Sequence, residues 1–308
     1  MSTVESGAGQ AAVLLSACTD PGQRRSENQD NYLVADLTVA SADGGVLLHP
    51  DESRGPAVVG ALQLGARGLL LAVADGMGGA AGGRVASQLA LAWMYRELLM
   101  RWDDGTAAGG APAFVGALRG AIEAANARVH EQGQRNPEYN GMGSTMTAVG
   151  LLEGVFYVGQ VGDSRAYLLR GGAAYRLTRD QSLVQHLIES GAMTPEEAAR
   201  SPHGSVLLQA LGTSAEVNVD LSWQLAGRDD ILLVCSDGLY RVVTDEEIGA
   251  AGAVSPDPPT LCRSLVELAN ARGGPDNVTV VAARLYGDGW APPSGELPAV
   301  QRYTPLEP

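Results

Sequence analysis

Three apolar runs in this chain stop at an aspartate. Leu69-Leu70-Leu71-Ala72-Val73-Ala74 runs into Asp75-Gly76, Ile231-Leu232-Leu233-Val234-Cys235-Ser236 into Asp237-Gly238, and Val155-Phe156-Tyr157-Val158-Gly159-Gln160-Val161-Gly162 into Asp163. Two more acids open apolar runs: Asp30 ahead of Tyr32, and Asp276, within Gly273-Gly274-Pro275-Asp276-Asn277, ahead of Val278. Any one Asp-Gly is an ordinary turn dipeptide. Five acids at the ends of buried strands are harder to dismiss, because desolvated carboxylates brought together repel one another and take up protons unless a cation meets them. In antiparallel pairing the start of one strand lies beside the end of its neighbour, so Asp30 and Asp276 can share a rim with Asp75 and Asp237. Oxygen donors in that number suit hard divalent cations. Gly76 and Gly238 let backbone come close to such an ion.

A competing chemistry overlaps the second run. Cys235, five residues and Arg241 outline a phosphate-binding loop with a thiolate nucleophile. Such a loop wraps its anion in backbone N–H groups ahead of a helix and depends on a lowered thiol pKa. Here Asp237 falls inside the loop, where its charge opposes both thiolate and anion, and Cys235 ends an apolar strand, where a thiol is inert. Asp237 is therefore expected to act and Cys235 to pack.

The elements that must position these acids follow from periodicity. Val13 to Thr19 and Tyr32 to Leu37 read as a strand pair joined by a polar loop, and Leu69 to Ala74 as a buried strand. Helices are expected near Arg84 to Trp102 and from Pro112, the latter with Phe114, Leu118, Ile122, Ala125 and Val129 on one stripe. Four short strands joined by hairpin turns fill Ser144 to Leu177. Gln181 to Arg200 reads as helical, with a capping box at Thr194 and Glu197. Strands follow at Glu216 to Leu221 and Ile231 to Cys235, then a helix capped by Thr244 and Glu247, another over Leu261 to Ala271, and a last strand from Val278 to Leu285. Blocks of strands broken by helical pairs indicate an α+β layered domain over residues 1–287. Residues 41–67, rich in Gly, Pro and Asp, read as a loop insertion, and the Pro-rich tail, 288–308, as disordered.

Composition narrows the partners. The chain of 308 residues is 45% hydrophobic and carries a formal charge of -14, from 35 acidic residues against 21 basic ones, all of them Arg. That balance lacks the basic footprint of a nucleic-acid binder, and without Lys there is no Walker A loop. Three widely spaced cysteines, Cys18, Cys235 and Cys262, fit a reducing, cytoplasmic compartment better than a disulfide framework. No apolar run approaches the length of a membrane span. Leu15-Ser16-Ala17-Cys18 imitates a lipoprotein box, but its apolar lead is too short and lacks a basic residue, so it reads as part of the first strand.

Taken in order, Arg25-Ser26-Glu27-Asn28-Gln29-Asp30, Ala74-Asp75-Gly76-Met77-Gly78-Gly79, Gly143-Ser144-Thr145, Val161-Gly162-Asp163-Ser164-Arg165, Leu177-Thr178-Arg179-Asp180, Ser236-Asp237-Gly238-Leu239 and Asp276-Asn277-Val278-Thr279 resemble the metal-dependent serine/threonine protein phosphatases, the PPM or type 2C group, in their bacterial form. The resemblance covers Arg25 to Leu285. It implies a four-layer αββα sandwich of two antiparallel sheets flanked by helices, with a flap over residues 180–215. It further implies hydrolysis of phosphoserine and phosphothreonine in proteins by water activated between two Mn²⁺ or Mg²⁺ ions. Asp75 would bridge the ions, Gly76 would lend a carbonyl, Asp237 and Asp276 would complete the second site, and Asp163 with Asp237 would take a possible third ion. Asp30 would hold water near the metals and Arg25 would clamp the phosphate. The implied partners are Ser/Thr-phosphorylated proteins, among them a cognate kinase. Two positions depart from the pattern. Gln29 stands where many members have Glu, and a neutral amide is a poorer ligand. Met77 replaces the His of eukaryotic members and cannot donate a proton, so a water or another acid must protonate the leaving group. His186 and His203, within the flap segment, read as surface histidines. The non-enzymatic alternative is a pseudophosphatase, a module that binds phosphoproteins without turnover.

Overall fold

A strand that is apolar on both faces needs cover on both sides, and four layers supply it. The computed structural model describes residues 11–39, 45–49, 57–79, 82–103, 107–198, 200–293, 298 and 301–303. Among these, one antiparallel sheet runs β10 (Ala173–Arg176), β9 (Arg165–Arg170), β12 (Ile231–Cys235), β13 (Val278–Tyr286), β1 (Ala12–Asp20), β4 (Ala57–Gln63). The second runs β14 (Gln301–Arg302), β11 (Asp220–Leu225), β8 (Val155–Val161), β7 (Met146–Leu152), β5 (Leu69–Met77), β2 (Asp30–Asp36), β3 (Val46–Leu48), and the short β6 (Gly143–Ser144) pairs with the end of β5.

Side-chain alternation explains the layering. Leu69, Leu71 and Val73 of β5 meet Val13, Leu15, Leu232, Val234 and Val281 between the sheets. Leu70, Ala72 and Ala74 face outward onto α1 (Gly82–Arg101) and α2 (Gly110–Arg135), in a cluster with Met94, Leu98, Phe114, Leu118 and Ile122. On the other side Leu233, Cys235, Val280 and Ala282 pack beneath α6 (Asp245–Val254) and α7 (Pro258–Ala271), against Ile248, Leu261, Cys262 and Leu265. Each fully buried Leu or Val contributes about 1.5–3 kcal/mol, which fixes the strands tightly enough to hold buried acids at their ends. The capping boxes form as expected: Thr244 with Glu247 opens α6, and Thr194 with Glu197 opens the one-turn α4 (Pro195–Ala198). Residues 180–215 also contain α3 (Leu183–Glu189), capped by Ser182.

Several expectations need correction. β1 and β2 do not form a pair: β1 lies between β13 and β4, and β2 between β5 and β3, so the loop between them crosses from one sheet to the other. Both strands carry apolar residues for the inter-sheet layer, one from each side, which a hairpin within one sheet could not provide. Residues 41–67 are more than an insertion, since they supply β3 and the edge strand β4; residues 40–44 and 50–56 lie outside the described residues. The strand placed at 216–221 sits at Asp220–Leu225. The described residues of the 288–308 tail pack on the domain. The Trp290 indole is buried and donates to the Ala12 carbonyl at 3.0 Å, β14 pairs with β11, and the Tyr303 N–H donates to the Leu221 carbonyl. Burial of one large aromatic ring outweighs the composition bias there. The prolines at 305 and 308 fall outside the described residues.

Candidate active site

The acids meet at the edge where β5, β8 and β12 end and β2 and β13 begin. Asp30 and Asp75 sit directly opposite each other in the β2–β5 register. A cavity of about 240 Å³ is lined by Asp75, Gly76, Asp163, Asp237 and Asp276, together with Arg25, Gln29, Met77 and Arg241. A second hollow of about 470 Å³ adjoins it through Arg25, Gln29, Gly78 and Asn277, and extends over Ser26, Glu27 and Gly79.

Each acid is held by its backbone or its neighbours. The Asp75 N–H donates to Thr145 Oγ1 (2.9 Å), and its carbonyl accepts from the Thr145 N–H (2.8 Å) and Ser144 Oγ (3.1 Å). Asp30 Oδ2 accepts from Ser236 Oγ (2.6 Å) and Thr279 Oγ1 (2.8 Å), both from the opposite sheet. Asn277 ties down the loop that carries Arg25: its side chain donates to the carbonyls of Pro21 and Glu27 and accepts from the Gln29 N–H, all within 2.9 Å. Asp237 begins α5 (Asp237–Tyr240). The following Gly238 packs so closely on the Asn277 carbonyl that no side chain fits.

Electrostatics match the crowding. Burial pushes Asp30 and Asp237 up to about 6 and Asp163 up to about 7. Asp75 is raised well above the ordinary carboxylate range, by burial first and then by the charges of Asp30, Asp237, Asp163 and Asp276. Two guanidinium groups lie against the set. Arg25 Nη2 donates to Asp276 Oδ2 at 2.8 Å, and Arg241 Nε sits 2.7 Å from Asp237 Oδ2 with Nη2 3.5 Å from Asp163 Oδ2. Among the described residues no group of three or more Asp, Glu, His or Cys side chains is closed around a single point. The acids open onto the cavity with the arginines lying against them.

The donor set nonetheless suits divalent cations. Asp30 Oδ1 and Asp237 Oδ1 are buried with no hydrogen-bond partner, which is costly for a carboxylate unless something positive meets it. Burial first and mutual repulsion second raise these pKa values, and the repulsion is what a cation would relieve. Met77 is 37% exposed at the cavity mouth and has no proton to give. Gln29 also lines the cavity, while His186 and His203 are exposed and outside its lining. Cys235 is fully buried, and burial pushes its thiol far up, as expected of a packing residue. Sequence reasoning assigned no role to Ser236, Thr279, Asn277 and Thr145, although each adjoins a predicted acid or stands within a quoted motif. It considered Arg241 only as part of a thiol loop, although the i,i+4 spacing from Asp237 could have flagged the pair.

Comparison with known proteins gives a concordant result. Residues 59–269 match the family described as protein phosphatase 2C. The serine/threonine protein phosphatase PstP of Mycobacterium tuberculosis (strain ATCC 25618 / H37Rv) is 42% identical over 214 residues, 70% of this chain but only 40% of PstP. The serine/threonine phosphatase stp of Listeria monocytogenes serovar 1/2a is 33% identical over 263 residues, 85% of this chain and 92% of stp. The solved catalytic domain of PstP in complex with 2 manganese ions superposes with a TM-score of 0.68 at 33% identity, covering 90% of this chain and 100% of that one.

Proposed function

Since the chain belongs to the protein phosphatase 2C family, we propose that it hydrolyses phosphoserine and phosphothreonine in proteins with the help of two Mn²⁺ or Mg²⁺ ions. The observation that carries this is the gathering of Asp75, Asp163, Asp237 and Asp276 around one cavity, with Asp30 paired to Asp75 and a buried Asp237 oxygen lacking any partner. Asp75, the Gly76 carbonyl, Asp237 and Asp276 would hold the ions. Bound there, they would supply Lewis acidity and a water of lowered pKa for in-line attack on phosphorus.

The chain's own side chains do the rest. Arg25 is 56% exposed at the junction of the two hollows, so its planar fork can turn from Asp276 to two oxygens of an incoming phosphoryl group. Asp30, fixed through Oδ2 by Ser236 and Thr279, keeps Oδ1 free beside Asp75 to accept a hydrogen bond from water and orient it. Met77 and the flap residues Ser205 and Leu207 line the mouth and limit access of bulk water. The adjoining hollow of about 470 Å³ accommodates residues flanking the phosphorylated one, in keeping with a protein substrate. A Ser/Thr kinase is the reaction class that must supply such a substrate. We assign the work to the cytoplasm, in keeping with three free, buried cysteines; among the described residues no helix is long and apolar enough to cross a membrane.

The test is release of phosphate from p-nitrophenyl phosphate and from a phosphothreonine peptide. Turnover should require Mn²⁺ and be abolished both by EDTA and by Asp75→Asn. Well-bound Mn²⁺ with no turnover on either substrate would refute hydrolysis and leave a binding module.

A further inference from the structure

Arg241 sits where a cation would be expected. Its Nε lies 2.7 Å from Asp237 Oδ2, and its Nη2 is 3.5 Å from Asp163 Oδ2 and donates to the Gly204 carbonyl of the flap at 3.1 Å. The arrangement is built into the local structure. Asp237 and Arg241 stand four residues apart, at the start and the C-cap of α5, and the Arg241 N–H donates to the Asp237 carbonyl, so the side chain reaches back over its own turn. The preceding residue holds the same target from its other end: Tyr240 Oη donates to the Asp163 carbonyl at 3.0 Å, and the Tyr240 ring is covered by Arg165, 3.5 Å from its centroid. Arg165 is itself fixed by a two-point bond to Asp180. Two buried carboxylates, 6% and 10% exposed, thus face one guanidinium that is only 30% exposed. Asp237 divides its oxygens, with Oδ2 on Arg241 and Oδ1 buried without a partner.

We propose that Arg241 is a positioning residue that acts as a built-in counter-cation: it fills the Asp163–Asp237 side of the cavity, confines exogenous divalent ions to the Asp75–Asp276 side through Asp237 Oδ1, and fastens the flap at Gly204. The inference rests on the divalent-ion assignment proposed above. Removing the guanidinium leaves two buried carboxylates uncompensated, and a divalent ion is the available replacement. Arg241→Met keeps the stem of the side chain and deletes the charge.

The experiment counts Mn²⁺ per chain by equilibrium dialysis and elemental analysis on the full chain, in wild type, Arg241→Met and Arg241→Met/Asp163→Asn. Wild type should hold two ions, Arg241→Met one more, and the double variant should return to the wild-type number. Retention of the wild-type ions in each variant reports an intact fold independently of activity. An equal count in wild type and Arg241→Met overturns the inference while leaving the proposed chemistry standing, as does an extra ion that survives Asp163→Asn. Failure of wild type to bind any Mn²⁺ removes the divalent-ion assignment itself, and this inference with it.

Discussion

Stripped of divalent cations, the protein should become more stable as the pH is lowered from 8 to 5. The cause is burial of the rim acids, with the charges of neighbouring acids second: Asp30 and Asp237 are pushed up to about 6 and Asp163 to about 7, against 3.8 for a free Asp. A carboxyl whose folded pKa is raised binds its proton more tightly in the folded state. Above the folded pKa that group therefore favours unfolding, and the loss is recovered as pH falls through the folded pKa towards the unfolded value. Between pH 8 and pH 5 a group pushed up to about 6 recovers roughly 1 unit, or ~1.4 kcal/mol, and Asp163, pushed up to about 7, roughly 2 units, or ~3 kcal/mol, the remainder returning only below pH 5. The acids titrate as a set, since the first proton relieves its neighbours, so we expect a gain of ~3–5 kcal/mol rather than the sum. At roughly 2–4 °C per kcal/mol for a domain of this size, Tm in EDTA should rise by about 6–20 °C between pH 8 and pH 5. Glu247, held down to about 2 by Arg272, loses its contribution only as pH drops below its ordinary value of 4.5, outside this window. Saturating Mn²⁺ should raise Tm most at pH 8 and flatten the slope, with ~2.7 kcal/mol at a hundredfold excess over Kd. Thermal melts across a constant-ionic-strength buffer series check this. Asp75→Asn is the control, because it removes a buried carboxyl whose own pKa is raised well above the ordinary range, and with it that group's proton uptake. A Tm in EDTA that stays flat or falls towards pH 5, or an undiminished slope in Asp75→Asn, would refute the electrostatic account.

Three further outcomes follow from the geometry. In Gly238→Ala the new methyl would overlap the Asn277 carbonyl oxygen and crowd Val278 Cα at 3.3 Å, so the start of β13 must move away from α5; a loss of ~3 kcal/mol or more is expected, read by thermal melt, together with loss of turnover. Cys235→Ser should cost stability by ~1–3 kcal/mol through burial of a hydroxyl, yet leave kcat/KM within about threefold; abolished turnover with Mn²⁺ still bound would restore the thiol mechanism. Arg25→Ala should lower kcat/KM on a phosphopeptide roughly 10²-fold, and Arg25→Lys should recover only part of it, because an ammonium lacks the two-point fork; full recovery by Lys would mean that charge alone is required.

Much of the rim was legible because it depends on local signals. An apolar run followed by Asp-Gly marks where a buried strand must stop, and antiparallel geometry alone predicted that Asp30 could stand beside Asp75, which the register bears out. The layered α+β class followed from blocks of strands broken by helical pairs, and the count of four layers from the family resemblance. What escaped was non-local. Nothing in Val13 to Thr19 or Tyr32 to Leu37 says that the two strands belong to different sheets, since a hairpin and a crossover use the same polar loop. Trp290 in a Pro-rich stretch gave no periodic pattern, so its seat on Ala12 became visible only with the fold. Ser236 and Thr279 carried no local signal of their role because their partner, Asp30, is more than 200 positions away. Arg241 was hidden by a stronger pattern, the spacing from Cys235.

Asp30 is carried by one sheet and gripped by two hydroxyls of the other. Neither sheet can slide over its partner without unseating that carboxyl, so a lesion that loosens the sandwich anywhere along this seam should register as a catalytic defect before the fold itself fails. The same rivet shields the chemical centre from drift.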